Sequence, residues 1–166
     1  MNEWIDWFQR VLDVSIRLYF RQECDLSSVY DIPLPKAGPL WKALLPEQVD
    51  PTFDEWMVLM LALMPHLSPQ MLDIFFVHNK FDCPYTEFGG WKGLSHGGFL
   101  PTGETAVFLL AGDRVERRLE VVRLFREEHR FHMYHVVGLE GAGNGEPFLS
   151  GQLRISEDFL YRLSFE

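Results

Sequence analysis

The sequence predicts an α+β domain, mainly helical, in which a series of helices precedes a C-terminal β-hairpin. Three observations lead there. Apolar residues recur at helical spacing over residues 2–23, and the segment 52–65 is apolar almost all round. After residue 129 the pattern turns strand-like: Arg130-Phe-His-Met-Tyr-His-Val-Val-Gly-Leu139 and Phe148–Ile155 flank Gly141-Ala-Gly-Asn-Gly145. Within that turn, Asn144-Gly145 is a strong hairpin signal. A chain of 166 residues, 47% of them hydrophobic, is expected to form one domain around one core.

Taken in order, residues 1–24 form an amphipathic helix with Trp4, Trp7, Phe8, Val11, Leu12, Leu18 and Tyr19 on one side. The stripe is expected to dock on its own domain; a partner-binding or interfacial helix is the alternative. Residues 25–51 carry Pro33, Pro35, Pro39, Pro46 and Pro51, so they read as an extended connection, with a short helical turn at Leu40–Leu45. Residues 52–126 are the helical core. Its first helix is buried, carries Asp54 and Glu55 in the first turn, and is expected to end at Pro65. Ser68-Pro69 starts a second helix running to about Asn79. A third spans 102–111, with Thr102 as N-cap and Gly112 at its C-terminus, and Asp113 caps a fourth through Arg126. Residues 129–155 are the hairpin, and Ser156-Glu157-Asp158 starts a short helix over 156–164. Helices followed by a two-stranded hairpin is the winged-helix order.

The formal net charge of −9 is spread evenly, about −3 in each of residues 1–50, 51–100 and 101–166. That balance argues against nucleic acid, whose binding rests on phosphate neutralisation, and against anionic membranes. Cys24 and Cys83 form no C-x-x-C pair and read as reduced core thiols. The chain begins without a signal-peptide pattern, and its longest apolar run is too short to span a bilayer, so a cytoplasmic protein is expected.

One stretch invites a chemical reading. Gly98-Phe-Leu-Pro-Thr-Gly103-Glu104-Thr105 has the glycine spacing of a phosphate-binding loop. The position that needs a lysine holds Glu104, which would repel phosphate, and Pro101 has no N–H to offer. The segment reads instead as a loop entering a helix. His129, His132 and His135 would alternate across a strand, so they are not expected to converge on a metal. Arg114, Arg117, Arg118, Arg123, Arg126 and Arg130 are interleaved with Glu116, Glu120, Glu127 and Glu128, giving a mixed-charge surface helix rather than a DNA-reading stripe. No catalytic residue, cofactor or metal site is expected. The candidates for partner binding are Trp91 and His96 in the glycine-rich loop, with Arg114, Arg117 and Arg118.

The segment FGGWKGLSHGGFLPTGETAVFLLAGD, residues 88–113, closely resembles part of the N-terminal region of a bacterial family of AAA-type ATPases. LALMPHLSPQMLDIFFVHNK and GEPFLSGQLRISEDFL are similar to the same region, so the resemblance runs from about Asp54 to the end, with a weaker match in the first helix. In that family the region is described as winged-helix-like and lies before the ATPase module; some members occur with contractile injection systems. The resemblance implies a non-catalytic N-terminal module with a linker and the ATPase following; recognition of a protein substrate, an adaptor or sister subunits is the role expected for it. A DNA-binding winged helix is the alternative, and less so a small enzyme built on the 88–103 loop.

Overall fold

A computed structural model describes residues 1–36 and 49–164. The fold is α+β, with two small antiparallel sheets among the described residues. The expected helical turn at Leu40–Leu45, with Pro39 and Pro46, lies outside the described residues.

Helix α1 spans Asn2–Tyr19, and the chain leaves it through Arg21 in the left-handed region at φ 54°. Its stripe docks on the domain as expected. Trp4, Trp7, Phe8, Val11 and Leu12 are buried, while Leu18 and Tyr19 stay partly exposed. The Trp4 and Trp56 rings lie 4.0 Å apart, and Trp7 meets Phe53 edge-on at 5.4 Å. Such pairs add specific geometry to the area they bury. In the connection, Ser28 caps a short 3₁₀ turn at Val29–Asp31.

Helix α2, Phe53–Leu67, is the centre of the core, with every residue from Glu55 to Met64 buried. It starts with a reciprocal cap in which the Thr52 N–H donates to Glu55 at 2.7 Å. Pro65 does not end it. Proline removes one donor, but near the C-terminus the last turn still closes, with Ser68 N–H donating to Met64 O at 2.9 Å. The next segment, Pro69–Phe76, is a 3₁₀-helix rather than the α-helix expected to reach Asn79. Only Leu72 and Phe75, three residues apart, are buried in it, which suits the three-residue turn. Asn79 instead braces a tight turn, accepting from the Phe81 and Cys83 N–H groups.

The glycine-rich stretch contains a small ladder not anticipated from sequence: β1, Trp91–Lys92, pairs with β2, Phe99–Leu100. Helix α3, Gly103–Ala111, has Thr102 as its N-cap and Gly112 at φ 56° after it, as expected. Helix α4, Val115–Val122, has Arg114 rather than Asp113 at its N-cap and passes into a 3₁₀ turn at Arg123–Phe125. It lies on the surface.

Arg130–Met133, expected to begin a strand, is a short helix, α5, whose start is capped by His129 Nδ1 accepting from Phe131 N–H at 3.1 Å. The chain turns through His135 at φ 50°, and only Val137–Glu140 forms strand β3. β3 pairs antiparallel with β4, Gln152–Ile155, with Val137 opposite Ile155 and Glu140 opposite Gln152. The expected second strand therefore starts four residues late, because Phe148–Ser150 is a 3₁₀ turn. Residues 141–151 form a long connection in place of the turn expected at residues 141–145. Helix α6, Glu157–Ser164, is capped by Ser156 and buries Phe159.

Both thiols are free, but Cys83 is exposed rather than in the core. Among the described residues no single helix is long and apolar enough to cross a membrane. Phe53–Leu67 and Pro69–Phe76 reach that apolar length only together, across a 106° bend, and the first of them is buried inside the domain.

Candidate functional site

The glycine-rich loop is a packed joint. Thr102 Oγ1 accepts from Gly90 N–H at 3.2 Å, and Thr105 Oγ1 accepts from Thr102 N–H at 3.0 Å while donating to Phe88 O at 2.7 Å. Gly103 N–H, at the start of α3, donates to Gly151 O at 3.2 Å. Two amides of the phosphate-loop-like segment, Thr102 and Gly103, are thereby already bonded within the protein. Several glycines here leave no room for a Cβ, two of them at the joint itself. At Gly89 (φ 61°) an added Cβ would lie 2.3 Å from Thr102 Oγ1, and at Gly103 it would lie 2.8 Å from Leu139. Above this lies an aromatic cluster in which Phe88 meets Phe108 at 4.7 Å and Phe75 at 5.5 Å. Tyr19 hydrogen-bonds Glu87 at its edge, and burial followed by that bond pushes its phenol up to about 12.

Glu104 is held by Arg118 in a two-pronged contact, each N–O distance 2.5 Å. Glu104→Lys is expected to remove that pair and place two cations together. The cost is about 1 kcal/mol for so partly exposed a pair, without any gain of ATP binding. Thermal unfolding and titration with a fluorescent ATP analogue check both; micromolar analogue binding by the variant would show that the joint does open to phosphate.

The five sequence candidates engage different neighbours and do not converge. Trp91 is half-buried, and its indole N–H donates to Ser150 O at 2.6 Å, tying the loop to the connection between β3 and β4. His96 lies over Gly98, where an added Cβ would sit 2.9 Å from Nε2; that nitrogen has no hydrogen-bond partner among the described residues. His66 lies within the field of His96 and Arg154; burial first, then those two groups, lower its proton affinity. Arg117 hydrogen-bonds Asp54, Tyr30 at 2.7 Å and Glu120 at 2.7 Å. Burial alone would lower its pKa, but these partners outweigh it and raise it above the ordinary value. Arg114 is exposed at the head of α4.

Sequence reasoning missed a buried ionic node. Arg130 donates to both Glu55 oxygens at 2.6 and 2.5 Å, their side chains only 8% and 7% exposed, and His129 Nε2 lies 3.2 Å from Glu55 Oε1. Burial would push the Glu55 carboxyl up. Hydrogen bonds from His129, Arg130 and Thr52 reverse this and hold it well below the carboxylate range. The only sequence signal was an acid in the first turn of α2. His129 belongs to this node, whereas His132 and His135 approach each other with rings 6.3 Å apart where the chain turns through His135 after α5. Among the described residues no three His, Cys, Asp or Glu side chains are grouped to hold a metal ion.

Two surface grooves complete the picture. One, of about 460 Å³, lies between α1 and the Pro69–Phe76 turn and is lined by Leu12, Ile16, Met71 and Ile74. The other, of about 610 Å³, runs along β3, with Phe125, Phe148, His132 and His135 on its lining. No protein-family model, curated protein or solved structure matches the chain.

Proposed function

We propose that the chain is a non-catalytic, protein-recognising winged-helix module of the kind that precedes the motor of an AAA-type ATPase. The order of elements supports the winged-helix reading. In chain order α2 is followed by the Pro69–Phe76 3₁₀-helix, the β1–β2 ladder, α3, α4, the short α5, and then β3 and β4, so helices precede a two-stranded antiparallel sheet. Leu153 N–H of β4 donates to Pro101 O at 2.8 Å, and Thr102 bridges Gln152, so the last strand lies between β3 and the segment holding Pro101 and Thr102. The parent class rests on the resemblance of residues 88–113 to that family.

The observation that favours protein over nucleic acid is the outer face of α4. By its place after α3 this helix corresponds to the one that helix-turn-helix proteins lay in the major groove. Here its outer face carries Val115 and Leu119, 64% and 65% exposed, beside Glu116 and Glu120. Arg117 and Arg118 are turned to Asp54 and Glu104 instead. Exposed Arg123 continues this side of the helix, so the face is apolar with mixed charge; it lacks the basic stripe of a phosphate-reading helix and suits a protein partner.

Leu119→Asp in the full-length ATPase tests this. Basal ATP hydrolysis and thermal stability are expected to stay unchanged, while capture of its protein substrate or adaptor falls at least about tenfold, the loss of one buried anchor. Capture that is unaffected by both Leu119→Asp and Val115→Asp would count against the assignment. The coding sequence beyond Glu166 is a second check, with a G-x-x-x-x-G-K loop expected within it.

A further inference from the structure

We infer that the outer edge of β3 accepts an extended, basic-flanked peptide as an added strand, its alternate apolar side chains entering the groove alongside. This rests on the protein-recognition reading and names a second surface for it.

The register shows which groups are available. Ser156 N–H donates to Val136 O at 2.9 Å, while Val136 N–H donates to Phe131 O at 2.8 Å; the register then directs the main-chain groups of Gly138 and Glu140 at β4. Val137 and Leu139 then direct their N–H and C=O groups the opposite way. Among the described residues those groups have no main-chain partner. The outer edge of β4 is different, because Leu153 N–H is already bonded to Pro101 O. Among the described residues the sheet is closed on one side and open on the other. An open edge is a template for another strand unless the fold blocks it with charge, proline or a bulge. Val137–Glu140 carries no proline, and its one charge is Glu140 at the end.

A groove lined by the whole of β3, and also by residues 154–157, supplies side-chain pockets. Leu124, Phe125 and Phe148 are apolar lining, and Phe125 and Phe148 stand 6.3 Å apart. Gly138 lies midway, and an added Cβ there would meet nothing within 4 Å, so there is room over the strand for an incoming side chain. Main-chain bonds with alternating pockets are the basis of recognition by strand addition.

Charge selects the occupant. The lining carries Glu127, Glu140 and Glu157 against Arg154, and Arg154 is paired with Glu140 at 2.6 Å. The lining is therefore net acidic, and so is the whole chain at −9. A second copy pairing edge to edge would bring the same carboxylates together, whereas lysines or arginines flanking a short apolar strand would be attracted.

The test is selection from a phage-displayed library of random peptides on the intact chain, followed by synthesis of the enriched sequence. The expected peptide alternates apolar and polar residues with lysine or arginine at its ends. Amide NMR shifts should centre on Val137–Glu140, and N-methylation at one backbone amide facing β3 should weaken binding at least about tenfold, since a donor is lost and a methyl intrudes. Gly138→Val narrows the space at the strand and is expected to weaken binding similarly with the fold intact. Acidic or helical peptides, shifts away from β3, or N-methylation without effect overturn the inference. Among these, peptides binding at Val115–Leu119 would remove the strand site and keep the protein-recognition reading; a library yielding no binder at all would count against both.

Discussion

Glu55→Gln is expected to lower the unfolding free energy by about 3–5 kcal/mol, because it leaves the Arg130 guanidinium buried without its carboxylate. For a chain of this length that corresponds to a fall of roughly 10 °C or more in the melting temperature. Replacing Glu55 and Arg130 together by Gln and Met should cost much less, since no isolated charge remains. The pH dependence has a definite sign. The Glu55 carboxyl is held below its ordinary value in the folded state, so its contribution is complete above the unfolded-state value near ~4.3 and is lost as pH falls toward the folded value. The gap between wild type and Glu55→Gln should therefore narrow as pH falls from 7 to about 3. Urea unfolding at the two values measures it. A gap that stayed constant would mean that Glu55 acts through packing and not through its charge.

Gly89→Ala is expected to cost about 2–4 kcal/mol, combining a left-handed backbone at φ 61° with an overlap of the new methyl on Thr102 and Glu104. Gly97→Ala is the control, since an added Cβ there meets nothing within 4 Å, and it should change stability by less than about 0.5 kcal/mol. The contrast separates two views of this loop. If its glycines served a bound ligand, the two positions would differ little in stability without ligand. If the loop is a joint, Gly89 carries the load and Gly97 does not. Thermal unfolding of both variants decides between them.

The helices were readable because each carries its own period and caps. The stripe of α1, the all-round apolar α2 and the Thr102 cap of α3 are written in residues a few positions apart. Local composition misled at Arg130–Met133. Phe131, Met133 and Tyr134 favour a strand, yet Arg130 is drawn to Glu55, 75 positions earlier in the chain, and that partnership fixes a helical turn instead. The basic run on α4 was legible as mixed charge. That Arg117 and Arg118 face Asp54 and Glu104 was not, because the partners are distant in sequence or on another helix. The open edge of β3 left no trace in the pattern either. Alternation tells which face of a strand is buried and says nothing about which side it pairs on, and Pro101 closing the β4 side is a tertiary event.

The proposed function requires an outward surface that takes protein and not phosphate. Fluorescence anisotropy of a labelled DNA duplex of about 20 bp, at about 50 mM salt, addresses it most directly, because even non-specific DNA binders reach Kd values of about 1–100 µM. The expected result is no saturable binding in that range, with Leu119→Asp and Arg114→Ala behaving alike. Saturable binding that weakens steeply with salt and is lost in Arg114→Ala would contradict the account, since it would show α4 facing a phosphate backbone.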